Sequence, residues 1–492
     1  MKKIMLSMTL LGFGMLSAQQ NALLNADFWK SKPTVNQVKE KIAEGNDPTQ
    51  LNERAYDPVS LAINNGAPNE TIEYLLTLDG NGVDKRTHDK RTYLFWAGMR
   101  KNLPIAKLLI EKGADVNAVD SHFATPITFA AGTGNTDTAF YDLLINNGAD
   151  IKYKNERGAD ALLLLIPHLK DLKETDYFIK KGLSLKAKDN DGNNAIFYAA
   201  RNGNQNIINQ LIKKKINPKA LNNKGENLLF AAAEGARMKS NGLDFFQYIE
   251  SLGINPNQAN NDGLTPLFVL SQRHRDVAVI NYFIDKGNDV NQTDKNGNNP
   301  LMNAAQRSTP EIISIFAEKT NNINLQNNEG HSALTNAVRS NAPEIVSLLL
   351  SKGADIQVKD LNGNSLTYYL VNSYSPRDTK NFDEKWAILS SKGLDFTTTQ
   401  NQGNTLYHLA VDKGSLPLLE KVATPAIDIN ARNSEGLTAL QKAAMTAKDT
   451  AILKFLIEKG ADKSVTTDFD ETVYDLAQEN EFLKGKDIQF LK

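Results

Sequence analysis

Residues 294–319, DKNGNNPLMNAAQRSTPEIISIFAEK, alternate between short apolar clusters and polar breaks. Leu301, Ala304 and Ala305 fall on one face of a short helix with Pro300 in its first turn. A second helix is predicted to start near Thr309-Pro310-Glu311, a threonine N-cap before a proline at the first helical position. It should bury Ile312, Ile313 and either Ile315 or Phe316. The DKNG stretch ahead of the pair supplies Asp294, Asn296 and Gly297, residue types that tolerate tight or left-handed backbone. A helix pair this small cannot cover its own apolar face, so it must stack on similar neighbours.

The same pattern recurs along the chain. LLIEKGADVNAVD (108–120) returns as LLINNGADIKYKN (143–155), LLLSKGADIQVKD (348–360) and FLIEKGADKSVTT (455–467). In the first copy Leu108 and Leu109 face a core, Lys112 suits the carbonyl end of the helix, and Gly113 takes the left-handed cap. Aligned on that glycine, the turns fall at Gly45, Gly80, Gly113, Gly148, Gly182, Lys215, Gly253, Gly287, Thr320, Gly353, Gly393, Ala426 and Gly460, in steps of 33 to 40 residues. A second series moves with it: Gly158, Gly192, Gly225, Gly263, Gly297, Gly330, Gly363, Gly403 and Gly436. Two landmarks with one period define a repeat protein.

The units resemble ankyrin repeats. The family's first-helix motif appears as TPITFAA (125–131), NAIFYAA (194–200), NPLMNAA (299–305), TLYHLAV (405–411) and TALQKAA (438–444), followed by the GAD helix ends quoted above. The resemblance implies an all-α repeat solenoid of stacked helix-turn-helix ankyrin repeats with β-turn fingers, about 13 units including atypical end caps. Only His408 holds the family's histidine position, and threonine-proline opens the first helix only at 125–126 and 265–266. These departures imply a weakened hydrogen-bond network between repeats. Residues 19–51 read as N-terminal capping helices, 52–464 as the array and 465–492 as a C-terminal capping repeat. Lys30, Lys39 and Lys41 suit the solvent side of the first cap. Two longer units carry extra residues near 236–242 and 372–382, surface insertions in which Tyr374 and Arg377 could make contacts.

Composition narrows the class. Hydrophobic content of 41% and charged content of 23% suit a folded chain, and a net charge of −1 argues against a nucleic-acid binder. The chain has no cysteine, which excludes disulfides, thiolate metal sites and cysteine catalysis. Residues 1–18 read as a secretory signal: Lys2 and Lys3, an apolar run from Ile4 to Leu16, then Ser17 and Ala18. The run is too short for a bilayer, which needs about 20 residues. Cleavage after Ala18 leaves a mature chain without a membrane span, periplasmic or secreted, and monomeric.

Catalytic motifs are lacking: no phosphate loop, no H-E-x-x-H helix and no G-x-S-x-G elbow. The histidines, His88, His122, His168, His274, His331 and His408, are scattered, so neither a metal nor a cofactor is expected, and His331 reads as a turn residue. Asp189 and Asp191 resemble a calcium loop but lack its closing glutamate; a polar turn is the simpler reading.

Function then falls to surfaces. In ankyrin-like stacks, finger tips and exposed first-helix residues line a concave face that holds partner proteins. The two positions after each Ala-Ala pair carry Arg100, Arg201, Arg273, Arg307, Arg339 and Lys413, against the acids Glu234 and Asp412. This suits a partner with an acidic surface, or else forms a solvated basic rim. A neighbouring stripe, Leu61, Trp96, Phe129, Leu164 and Tyr198, is either a binding strip or packing between repeats; packing fits better, since an exposed stripe would aggregate. The resulting expectation is an exported, non-catalytic protein-interaction scaffold. Rival readings are a secreted effector or toxin-associated binding protein, and an enzyme with a site assembled across the groove.

Overall fold

The computed structural model describes residues 21–236, 239–424 and 426–492; the segment expected to be a secretory signal, residues 1–18, lies outside the described residues. Among the described residues the regular structure is α-helical, 27 helices with short 3-10 turns, and the β-bridges are isolated. The all-α repeat reading holds.

The prototype unit folds much as its pattern predicts. Its first helix is Pro300–Arg307, capped by the Asn299 side chain, which accepts from the Met302 amide at 2.8 Å. The second is Pro310–Lys319, with Thr309 at the N-cap position but no side-chain cap bond. Ile312, Ile313 and Phe316 are fully buried, so the open choice resolves to Phe316 over Ile315. Each such side chain contributes roughly 1.5–3 kcal/mol by leaving water. Elsewhere the first helix opens on a reciprocal capping box: Asp57 with Ser60, Thr125 with Thr128, Ser332 with Thr335, Thr438 with Gln441.

The chain divides into two compact units, the first running to Pro218 and the second Lys219–Lys492. In the first, the helices Ala26–Lys30, Pro58–Asn65, Tyr93–Met99, Pro126–Gly132, Ala161–Leu165 and Ala195–Arg201 pack in succession. In the second, Leu228–Glu234, Pro266–Arg273, Pro300–Arg307, Ala333–Ser340, Leu366–Asn372, Leu406–Asp412, Ala439–Thr446 and Val473–Glu479 do the same.

The polar fingers between helix pairs are hairpins in which the amide of the first finger residue donates to the carbonyl four residues on, Asp120 to Ala124, Asp189 to Asn193, Asp294 to Asn298 and Asp360 to Asn364, and its carbonyl accepts from the amide three residues on. The first side chain holds the turn from inside, as Asp189 Oδ1 does by accepting from the Asn193 amide at 2.8 Å. Asp189 therefore serves a turn, as the sequence suggests. Successive fingers are also bonded to each other. Asn190 N donates to Arg157 O in the first unit; Asn261 N to Lys224 O and Asn328 N to Asn296 O, each 2.8 Å, do so in the second. A side chain at Gly330 would press on the next rung, Leu361 N to Glu329 O at 3.1 Å, since its Cβ would lie 2.6 Å from the Leu361 amide nitrogen.

Three expectations need adjustment. The turn series changes at Thr320, where the helix ends in extended backbone (φ −75°) without a left-handed residue, whereas Lys215 does adopt φ +64°. At the third break, near Ala426, the preceding helix Leu416–Val422 already ends at an extended Ala423. The network between repeats does not rest on the histidine alone, because at some repeats glutamine or asparagine side chains also bridge to a neighbour. Gln400 Oε1 accepts from the Ser365 amide (2.9 Å), Gln441 Nε2 donates to Val465 O (3.0 Å), and Asn480 Nδ2 donates to Ala444 O (3.0 Å). His408 itself is fully buried and joins Thr405 Oγ1 (2.8 Å) to Leu437 O (3.0 Å) of the next repeat.

Candidate functional site

The six basic positions share one local cause. Arg201, Arg273, Arg307 and Arg339 lie in the last turn of their helices, and Arg100 and Lys413 are C-caps. A cation there complements the partial negative charge of the helix end. Arg100, Arg273, Arg307, Arg339 and Lys413 are exposed, while Arg201 is half-buried with its guanidinium 5.8 Å from the Tyr198 ring centre. Lys413 turns back to donate to Asn372 O at 3.0 Å. Arg100 and Arg201 belong to the first unit, the other four to the second.

The aromatic stripe occupies the position nine residues after the start of each finger. Trp96 is buried and its indole N–H donates to Thr87 Oγ1 at 2.8 Å; Tyr198 is buried and donates to Asp189 Oδ2 at 3.0 Å. Both rings thus tie the first helix to its own finger. Phe129 is half-exposed, edge-on to Trp96 and beneath the Arg91 guanidinium, which is 4.3 Å from its ring centre.

In the second unit the same position holds Tyr369, and here the structure gathers a polar cluster. The Tyr369 hydroxyl donates to Asp360 Oδ2 at 2.5 Å, so the short 2.7 Å contact with His331 requires His331 Nε2 to carry the hydrogen. Asn364 Nδ2 donates to the same carboxylate oxygen at 2.9 Å, and His331 Nδ1 lies 3.1 Å from Glu329. Burial pushes the His331 imidazole below its ordinary range against the pull of Glu329 and Asp360, with Arg339 adding to the decrease. Burial and the Asp360 bond push the Tyr369 phenol far up, keeping it neutral. Burial alone would raise Asp360, but the bonds from Tyr369 and Asn364 outweigh it and hold the carboxyl low.

The cluster floors a cleft of about 660 Å³ walled by Arg339, Tyr368, Asn372, Asn328, Asn362 and Asn401, with Leu361 on its rim, 76% exposed. Of the sequence-selected residues, only Arg339 meets this cleft. Arg273 lines a separate surface depression beside Asn241 and His274. The sequence alone reads His331 as a turn residue and does not single out Tyr369. The signal was present as Asp-x-x-Gly-Asn with tyrosine nine after the aspartate, at 360–369 and again at 189–198. Among the described residues no group of three or more histidine and carboxylate side chains could hold a metal. No helix there is long and apolar enough to cross a membrane.

The family model for ankyrin repeats (three copies) matches residues 30–120, 164–260 and 267–360, more than half of the chain. The chain belongs to the ankyrin-repeat family. Ankyrin repeats are protein-interaction modules and generally non-catalytic, which accords with a cleft that offers hydrogen-bonding groups. Similar curated proteins include human transient receptor potential cation channel subfamily A member 1, 29% identical over 24% of this chain and 11% of the relative. Ankyrin repeat and SAM domain-containing protein 6 of Rattus norvegicus is 33% identical over 20% and 11%. Palmitoyltransferase AKR1 of Debaryomyces hansenii is 28% identical over 27% and 16%. The ankyrin-repeat chain thus spans less than a fifth of each relative's length.

Proposed function

We propose that this ankyrin-repeat protein is exported to a bacterial periplasm and acts there as a non-catalytic, monomeric scaffold that holds an acidic partner protein. The observation that carries the binding reading is the cleft over Tyr369. It sets an exposed arginine, several amide side chains and an exposed leucine along one edge of fingers and first helices. Amides supply both donors and acceptors for a peptide backbone, Arg339 suits a carboxylate, and Leu361 offers an apolar anchor. The fingers are bonded to one another, so the surface is pre-formed and binding costs little backbone ordering.

Affinity capture from an envelope fraction tests the reading, with residues 19–492 as bait beside an Arg339→Ala, Leu361→Ser variant that keeps the parent's helical circular dichroism. A protein held by the parent and released by the variant is expected; equal capture by both would move the interface elsewhere. Export is tested separately by N-terminal sequencing of the envelope protein, which should begin at Gln19.

A further inference from the structure

A buried lysine beside the cleft has a setting the partner reading does not use. Lys385, in the helix Thr379–Ser391, is 3% exposed. Its ammonium donates to Val338 O at 2.9 Å, one of the carbonyls at the end of the helix Ala333–Ser340 that no later amide in that helix can reach. An ammonium has three hydrogens. Among the described residues Lys385 forms no ion pair, and its other two hydrogens have no protein acceptor.

Lys385 lines a cavity of about 140 Å³ that is open to solvent, where Arg339, Ser375 and Asn381 also contribute to the lining. The Arg339 guanidinium, the Asn381 side-chain amide and the Ser375 hydroxyl hydrogen likewise have no acceptor among the described residues. Asp378, the carboxylate of the lining, already accepts from the Asn381 backbone amide at 3.2 Å. Two cations and two neutral donors therefore border one small space against a single, partly engaged carboxylate. One water needs only about 10–15 Å³ of such accessible volume, so the space has room for a group of a few heavy atoms. Burying an ammonium with one neutral acceptor is costly, and an anion would offset that cost.

We propose that this cavity is an oxyanion site, in which Lys385 and Arg339 hold a carboxylate or phosphate group assisted by Ser375 and Asn381. The site overlaps the partner cleft at Arg339 and is set apart from it by Lys385, which the cleft does not include.

The test is a titration of residues 19–492 with inorganic phosphate and, separately, acetate, at ionic strength held constant with chloride, followed by calorimetry and melting temperature. At least one anion should bind and raise the melting temperature, and Lys385→Met and Arg339→Gln should each weaken that binding at least tenfold. A response to phosphate alone assigns a tetrahedral ligand, and one to acetate alone a carboxylate. No binding of either anion above chloride would overturn the site, as would undiminished binding by Lys385→Met. Should Lys385→Met not fold, the exposed Arg339→Gln decides by the same criterion. Loss of anion binding with partner capture intact in Lys385→Met would separate this site from the cleft.

Discussion

Glycine's absence is as telling as its presence at the third residue past each finger start. Ala55, Lys90, Phe123 and Asp470 occupy that place with φ between +56° and +60°, where Gly158, Gly192 and their counterparts sit elsewhere. A side chain in left-handed backbone costs about 1–2 kcal/mol. Phe123 is 54% exposed and returns little packing for that cost. Phe123→Gly should therefore stabilise the protein by about 1 kcal/mol, read as a higher urea midpoint; an unchanged or lower midpoint would show that its ring makes a compensating contact. Lys385 yields a prediction in pH. Desolvation pushes its pKa from an ordinary 10.5 down to about 8, against the opposing pull of Asp378. Between those values the unfolded chain binds a proton that the folded chain has released, so stability should rise with pH across that window, by up to about 3 kcal/mol. Lys385→Met should flatten this rise in denaturant titrations from pH 7.5 to 10.5. The sequence shows the glycine period plainly, but it conceals these strained positions and the buried lysine, because both depend on what the backbone demands of whatever residue is present.

Element boundaries were legible where side chains cap them. Asn299, Thr125 and Ser332 announce helix starts chemically, and the helices begin there. Bonds between repeats were less legible, since Gln400, Gln441 and Asn480 serve a role for which only the histidine has a known signature. His408→Ala should cost about 1–3 kcal/mol by leaving Leu437 O without its partner in a part-buried setting, measured as a fall in melting temperature. A fall no larger than that of an exposed substitution would show the bond to be dispensable. The second insertion also differs from a plain loop. Tyr374 sits edge-on to Phe382 at 5.2 Å, and the helix that follows runs for 13 residues, while Arg377 remains exposed. A longer surface segment could be read from the spacing; its packing could not, because Tyr374 and Phe382 have no periodic counterpart elsewhere.

At the scale of the whole molecule, stability should be local and transmitted through neighbours. The C-terminal helix Val473–Glu479 packs on Ala439–Thr446, and Asn480 bonds both Ala444 O and Ala447 O. Deleting residues 465–492 should raise amide exchange first in Ala439–Thr446 and Ala451–Glu458, while Pro300–Arg307 keeps its protection. Uniform loss across the second unit would indicate a single cooperative block instead. The repeat architecture was fully legible because each unit restates it. The cleft over Tyr369 was not, since its core members come from positions 331, 339, 360 and 369, which become neighbours only when two successive first helices and their fingers align.

The finger-to-finger rungs carry a practical consequence for engineering. Asn261 N reaches Lys224 O across the first long unit, and Asn401 N reaches Asn364 Oδ1 across the second, so extra residues between the helices leave the finger edge in register. Foreign peptides grafted between Pro376 and Arg377, both exposed, should thus be displayed without disturbing the finger edge, making that point the natural port for tags, epitopes or fluorescent reporters.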